Sequence, residues 1–157
     1  MKHLRCIAET RDRHYEMTSI DELRFVFRWI EKGERLTVRH VVREMKGVER
    51  LLFRMLGLKT VVECMGSMLI HHELDLAALL FIDEEGHEMR ALGHYDAGDS
   101  RRIRFRLKKG GYADHLAAEC VSLDTAFRAI EAQYLEGNPP DWLTYRNDAR
   151  PWPVRAT

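Results

Sequence analysis

A chain of 157 residues has the size of one domain and can bury a substantial core. Its 25 basic residues balance 25 acidic ones, so no global field favours a polyanion or mimics one. With 45% hydrophobic and 32% charged residues, the composition is that of a globular protein with a highly charged surface.

The charge is unevenly placed. Residues 1–50 carry 12 Lys and Arg against 9 Asp and Glu, residues 51–100 carry 3 against 9, and residues 101–157 carry 10 against 7. An acidic middle third therefore lies between two mildly basic flanks, an asymmetry that can steer a partner. Cys6, Cys64 and Cys120 are widely spaced and form no C-x-x-C pair, which argues against a zinc ribbon or a thioredoxin-type motif. Free thiols suit a reducing compartment, and the opening Met-Lys-His-Leu-Arg-Cys lacks the apolar run of a signal peptide, so the expected location is the cytoplasm. Apolar runs such as Leu76–Ile82 are too short to cross a bilayer, and no membrane partner is expected.

Residues 3–9 read as a first strand followed by a charged turn. Ser19-Ile20-Asp21-Glu22 has the form of a capping box, with Ile20, Leu23, Phe27 and Ile30 following at helical spacing, which predicts a helix over 19–32 that stops at Gly33. Leu36–Val42 is compatible with a strand or with a helix capped by Thr37. Gly47–Leu56 reads as a helix with Val48, Leu51, Leu52 and Met55 on one side.

From Leu58 to Val121 the pattern predicts strands. Thr60-Val61-Val62 and Met68-Leu69-Ile70 flank an expected turn at Gly66-Ser67. Leu76–Ile82 reads as a strand buried on both faces, Asp83-Glu84-Glu85-Gly86 as a hairpin turn, and Glu88–Leu92 as the returning strand. In Arg102–Lys108, strict alternation sends Ile103, Phe105 and Leu107 to the core and the basic residues to the other face. Gly110-Gly111 is the next turn. Ser122 caps a last helix that ends at Gly137-Asn138-Pro139-Pro140. The expected architecture is a single α+β domain over residues 1–145, a mostly antiparallel sheet packed against N-terminal and C-terminal helices. Residues 146–157 are expected to form an extended or partly disordered tail.

Several side chains are candidates for chemistry. On a strand, His71 and Glu73 would share a face while His72 points away, and a zinc site would need a further ligand such as His87 or His94. That spacing matches no ligand motif, so no metal is expected. Cys64 and Cys120 read as small core or strand-end residues rather than nucleophiles. The basic run at 101–109 interleaves a single aromatic, Phe105, on the face opposite the arginines, so nucleic acid is not the expected partner and a solvated charged face is the better account. No G-x-x-x-x-G-K-[ST], G-x-G-x-x-G or G-x-S-x-G occurs, and neither a catalytic centre nor a cofactor is expected. The feature that points to binding is the acidic set Asp83, Glu84, Glu85 and Glu88, extended by Asp96 and Asp99, because loop carboxylates on a rigid sheet can meet the cations of a partner. Tyr95 and Trp142 are candidate aromatic anchors.

The order of features from the apolar strand through the acidic turn, the Gly-Gly turn and the capped helix Ser122-Leu123-Asp124-Thr125-Ala126-Phe127, closing on Glu136-Gly137-Asn138-Pro139-Pro140 and Trp142-Leu143, resembles the Imm1 family of bacterial immunity proteins. The likeness spans residues 74–145, with a weaker match at 18–32. Leu36–Gly66 departs from the family pattern, being longer and more helical. The resemblance implies an antitoxin-like protein, not an enzyme, that binds a cognate secreted toxin and occludes its active site, such toxins often being nucleic-acid-modifying enzymes such as deaminases. Two rival expectations stand beside it: a small metal- or thiol-dependent enzyme using His71, His72, His94 or Cys120, and a phage or mobile-element accessory protein binding nucleic acid through Arg102, Arg104 and Arg106 or binding protein.

Overall fold

In a computed structural model, which describes residues 5–148, the chain forms one α+β domain around an antiparallel sheet of eight strands. Strand β1 (Arg5–Glu9) turns into β2 (His14–Met17), a short strand that the sequence pattern did not reveal. Helix α1 (Ile20–Trp29) follows with the anticipated cap: Ser19 Oγ accepts the Glu22 N–H, and the Glu22 carboxylate accepts the N–H groups of Ser19 and Thr18.

The ambiguous segment is a strand, β3 (Arg35–Glu44), and the next helix, α2, spans Gly47–Met55. Strand β4 (Val61–Ile70) corrects one expectation, because Gly66-Ser67 is not a turn but lies mid-strand. There Gly66 passes beneath the ring of Phe81, where a side chain would collide, so the glycine marks close approach rather than chain reversal. Strands β5 (Leu76–Ile82) and β6 (Glu88–Leu92) form the anticipated hairpin. Among the described residues, strands β7 (Arg102–Arg106) and β8 (Tyr112–Leu116) pair only with each other, and β9 (Cys120–Ser122) pairs with the start of β5. Helix α3 (Leu123–Glu136) is capped by Ser122 and closed by Gly137, and β10 (Thr144–Asp148) ends the sheet against β6.

The sheet order is β10-β6-β5-β4-β3-β1-β2. Residues 146–148, assigned to the tail by sequence, therefore continue an edge strand, and residues 149–157 lie outside the described part. Alternation along the central strands sends Met68, Ile70, Leu79 and Phe81 to one face, where α1 and α3 pack with Leu23, Val26, Ala126 and Ile130. Each fully buried Leu, Ile or Phe there contributes roughly 1.5–3 kcal/mol relative to exposure. The other face is covered by the β7–β8 hairpin, whose Phe105 packs on Leu69, Ala78 and Cys120. Gly33 anchors that hairpin: its N–H donates to Ile70 O and its carbonyl accepts from Lys108 N–H. At φ +82°, with Arg106 O within 2.8 Å of any added Cβ, this position admits only glycine without strain.

Candidate protein-interaction surface

Helix α2 grows from the end of the β3–β4 pair, where Met45 N–H donates to Thr60 O across the neck. Glu49 lies in its first turn and Arg54 in its last, as the helix dipole favours, and Glu49 pairs with Arg43 at 3.2 Å. Val48, Leu51, Leu52 and Met55 recur at the spacing of one helical face, and Leu56 continues the apolar surface. In a domain helix that face would be covered. Here these five side chains are 52–76% exposed, and no residue of α2 is buried. Single exposed apolar residues are ordinary, whereas five on one short helix form a patch of the kind found at interaction sites.

The acidic hairpin lies at the same end of the sheet. Ile82 pairs with Met65, four residues along β4 from its start at Val61, so roughly 13 Å of strand separates the turn from the neck of α2. Asp83 builds the turn itself. Its Oδ1 accepts the N–H groups of Glu85 and His87, each at 2.9 Å, and its Oδ2 lies 3.0 Å from His87 Nδ1. Partial burial works to raise its pKa, but the hydrogen bonds and the imidazole of His87 outweigh it and hold the carboxyl below its ordinary value. Glu84 and Glu85 project from this locked turn and are exposed. A shallow hollow of ≈ 270 Å³ joins them to Val42, Cys64, Gly137 and Asn138.

The other carboxylates of the predicted set lie elsewhere. Glu88 is buried and pairs with Arg90 at 3.1 Å, so it does not belong to the exposed group. Tyr95, Asp96 and Asp99 follow the opposite end of β6, away from the turn. Asp99 is engaged by Arg101, whose side-chain hydrogen bonds lower its pKa, and the Arg101 guanidinium also stacks 5.4 Å from the Tyr95 ring centre. Tyr95 packs against the core beneath the β7–β8 hairpin, whereas Trp142 is half exposed with Arg128 stacked 5.3 Å from its ring. Of the predicted residues, Asp83, Glu84 and Glu85 lie in the turn at the end of the sheet from which α2 grows. The exposure of Leu51 and Leu52 had no signal in the sequence, because periodicity identifies a face and not what covers it.

The groups weighed for catalysis are placed as follows. His71 and His72 lie beyond the end of β4, so their side chains do not diverge as on a strand; their rings stack with centres 4.2 Å apart. His71 Nδ1 accepts the N–H groups of Glu73 and Leu74, His72 Nδ1 accepts that of Arg106, and burial, followed by the neighbouring His72, lowers the His71 pKa. Among the described residues, no group of three or more His, Cys, Asp or Glu side chains is arranged to hold a metal ion. Cys6 Sγ lies 3.8 Å from His40 Nε2, but both residues are buried and burial pushes the thiol up to about 12. Burial likewise raises Cys64 to about 11 and Cys120 to about 12, leaving all three as thiols.

On β7, Arg104 makes a two-pronged ion pair with Asp114 at 2.8 and 3.0 Å and stacks over Tyr112, while Lys108 reaches Glu31 and Glu34. Part of the basic face is thus neutralised within the domain. Among the described residues, no helix is long and apolar enough to cross a membrane. Compared with known proteins, the chain matches no family model, and no curated protein resembles it in sequence.

Proposed function

We propose that this chain is an immunity protein, which binds a cognate bacterial toxin and neutralises it by covering its active site. The toxin belongs to the nucleic-acid-modifying enzymes, of which a deaminase is one example. The observation that carries this reading is the uncovered apolar face of α2, held out on the neck of a β-hairpin with Glu84 and Glu85 at the same end of the sheet. An apolar centre with charge at its margin is the anatomy of a specific protein interface. Enzymes that act on nucleic acid present cations around their active sites, and exposed carboxylates beside an apolar anchor suit such a surface. The buried, protonated thiols and the internally bonded His71 and His72 favour a binding role over a chemical one.

The test is co-expression with a nucleic-acid-modifying toxin domain, chosen from the genes that neighbour this one wherever such a domain is found there. The wild-type protein should restore growth and co-purify as a stoichiometric complex. The double substitution Leu51→Asp with Leu52→Asp should remove both effects while leaving the circular dichroism spectrum unchanged. Full protection by that folded variant would show that α2 is not the docking element, and turnover of a substrate by the isolated chain would overturn the reading itself.

A further inference from the structure

One edge of the sheet, at β2, has a chemistry different from that of α2. Strand β2 is the last in the sheet order and, among the described residues, pairs on one side only, with β1. The Thr10 N–H donates to Arg13 O at 2.9 Å, which makes Thr10 and Arg13 a hydrogen-bonded pair around the two-residue turn. Antiparallel alternation then directs the peptide groups of Tyr15 and Met17 toward β1 and those of His14 and Glu16 outward. Thr18 follows the same phase, and its N–H is taken by Glu22 Oε2 at 2.7 Å, which ends the open row. His14 and Glu16 therefore offer donors and acceptors to an incoming strand. Edges are commonly blunted by lysine or proline, and β2 contains neither.

Beside this edge runs a groove formed with α1. Two adjoining hollows, of ≈ 140 and ≈ 610 Å³, share Tyr15, Phe25 and Val26 as their floor. Phe25 and Trp29 form its apolar wall, with rings 5.9 Å apart and more than half of each side chain exposed. The rim is acidic: Asp12, Glu16, Asp21, Glu22, Glu31 and Glu34 line the hollows, and Arg13 and Lys108 are the two lining cations. Lys108 is already held between Glu31 at 3.0 Å and Glu34 at 3.3 Å. An anionic peptide or lipid surface would meet this rim with like charge, and a second copy would bring the same carboxylates against themselves.

We infer that the β2–α1 groove takes an extended protein segment of alternating basic and apolar side chains, added as a strand to β2. Main-chain bonds to His14 and Glu16 supply register and the apolar side chains lie on Phe25 and Trp29, while alternation turns the basic ones to the other face of the sheet, where Glu16 is exposed. This surface is independent of α2, so its test does not involve a toxin.

The probe is a capped synthetic peptide of about six residues alternating Val and Lys, long enough to span the edge strand, compared with the Val and Glu counterpart by isothermal titration and amide shifts. The Lys peptide should bind and shift the His14 and Glu16 amides. Its affinity should fall on the order of tenfold from low to physiological ionic strength, since the Glu16 carboxylate is solvent-exposed, and the Glu peptide should not bind. Glu16→Pro removes an N–H that faces away from β1, so it should leave β1–β2 pairing intact and abolish binding. Should that variant misfold, Phe25→Ser on the exposed wall gives the second reading, an affinity loss on the order of tenfold for a large apolar contact. Equal binding of both peptides, no binding of the Lys peptide, or full binding by folded Glu16→Pro would overturn the inference.

Discussion

Gly66 lies directly opposite Phe81 across the β4–β5 pair, and a Cβ at position 66 would stand 2.8 Å from Phe81 Cε1 and 3.0 Å from Ile130 Cδ1. Phe81 and Ile130 are both fully buried, so neither has room to yield without disturbing the core between sheet and α3. Gly66→Ala should therefore destabilise the domain by about 1–3 kcal/mol, the usual range for overpacking, even though alanine suits a strand better than glycine. Urea unfolding would register it as a lower midpoint at constant slope. An unchanged midpoint would mean that α3 shifts outward at little cost.

The Asp83 turn gives a dependence on pH with a definite sign. A carboxyl whose folded pKa lies below its ordinary value of 3.8 stabilises the fold above that value, and the contribution disappears as pH falls through the depressed pKa. Asp83→Asn should thus cost stability at neutral pH. The melting-temperature gap between variant and wild type should narrow on acidification below about pH 4. A gap that stays constant with pH would assign the turn's stability to hydrogen-bond geometry alone and not to the charge.

Locally encoded features were legible in the sequence, and features that depend on cross-strand neighbours were not. Ser19 and Glu22 lie within one helical turn of each other, so their mutual capping follows from residue types at a fixed spacing. The β5–β6 turn was readable for the same reason, since Asp83 bonds to groups two and four residues ahead. Gly66 carried a misleading signal: a glycine is demanded equally by a turn and by a close approach, and only the position of Phe81 distinguishes them. Glu88 looked like part of an exposed acidic run, yet cross-strand packing buries it beside Arg90. The stripe of α2 was visible as a pattern, while the absence of a covering layer is a property of the assembled sheet.

Charge reversal at the hairpin tip separates steering from anchoring. Glu84 and Glu85 are exposed and sit on a turn held by Asp83, so Glu84→Lys with Glu85→Lys should leave stability within about 0.5 kcal/mol of wild type. Rim charges act mainly on encounter. With a toxin that presents cations, the association rate should drop and its dependence on salt should weaken or invert, while dissociation changes less. Stopped-flow binding over a range of ionic strengths measures both. Identical association rates at every salt concentration would take the two glutamates out of the interface and leave α2 as the only supported element.

Gln133 exposes a local cost within the fold. The residue lies on the core-facing side of α3 and is 1% exposed, and neither its Oε1 nor its Nε2 has a hydrogen-bond partner among the described residues. A buried amide without partners carries a desolvation penalty of about 1–3 kcal/mol. Methionine has a similar length and flexibility and no such requirement. Gln133→Met should therefore raise the unfolding free energy, and Gln133→Ala should lower it by opening a cavity beneath the helix. The pair of substitutions distinguishes volume from polarity. If both destabilise to a similar extent in urea titrations, the amide is bonded in solution, and Gln133 supports the helix that α1 packs against rather than weakening it.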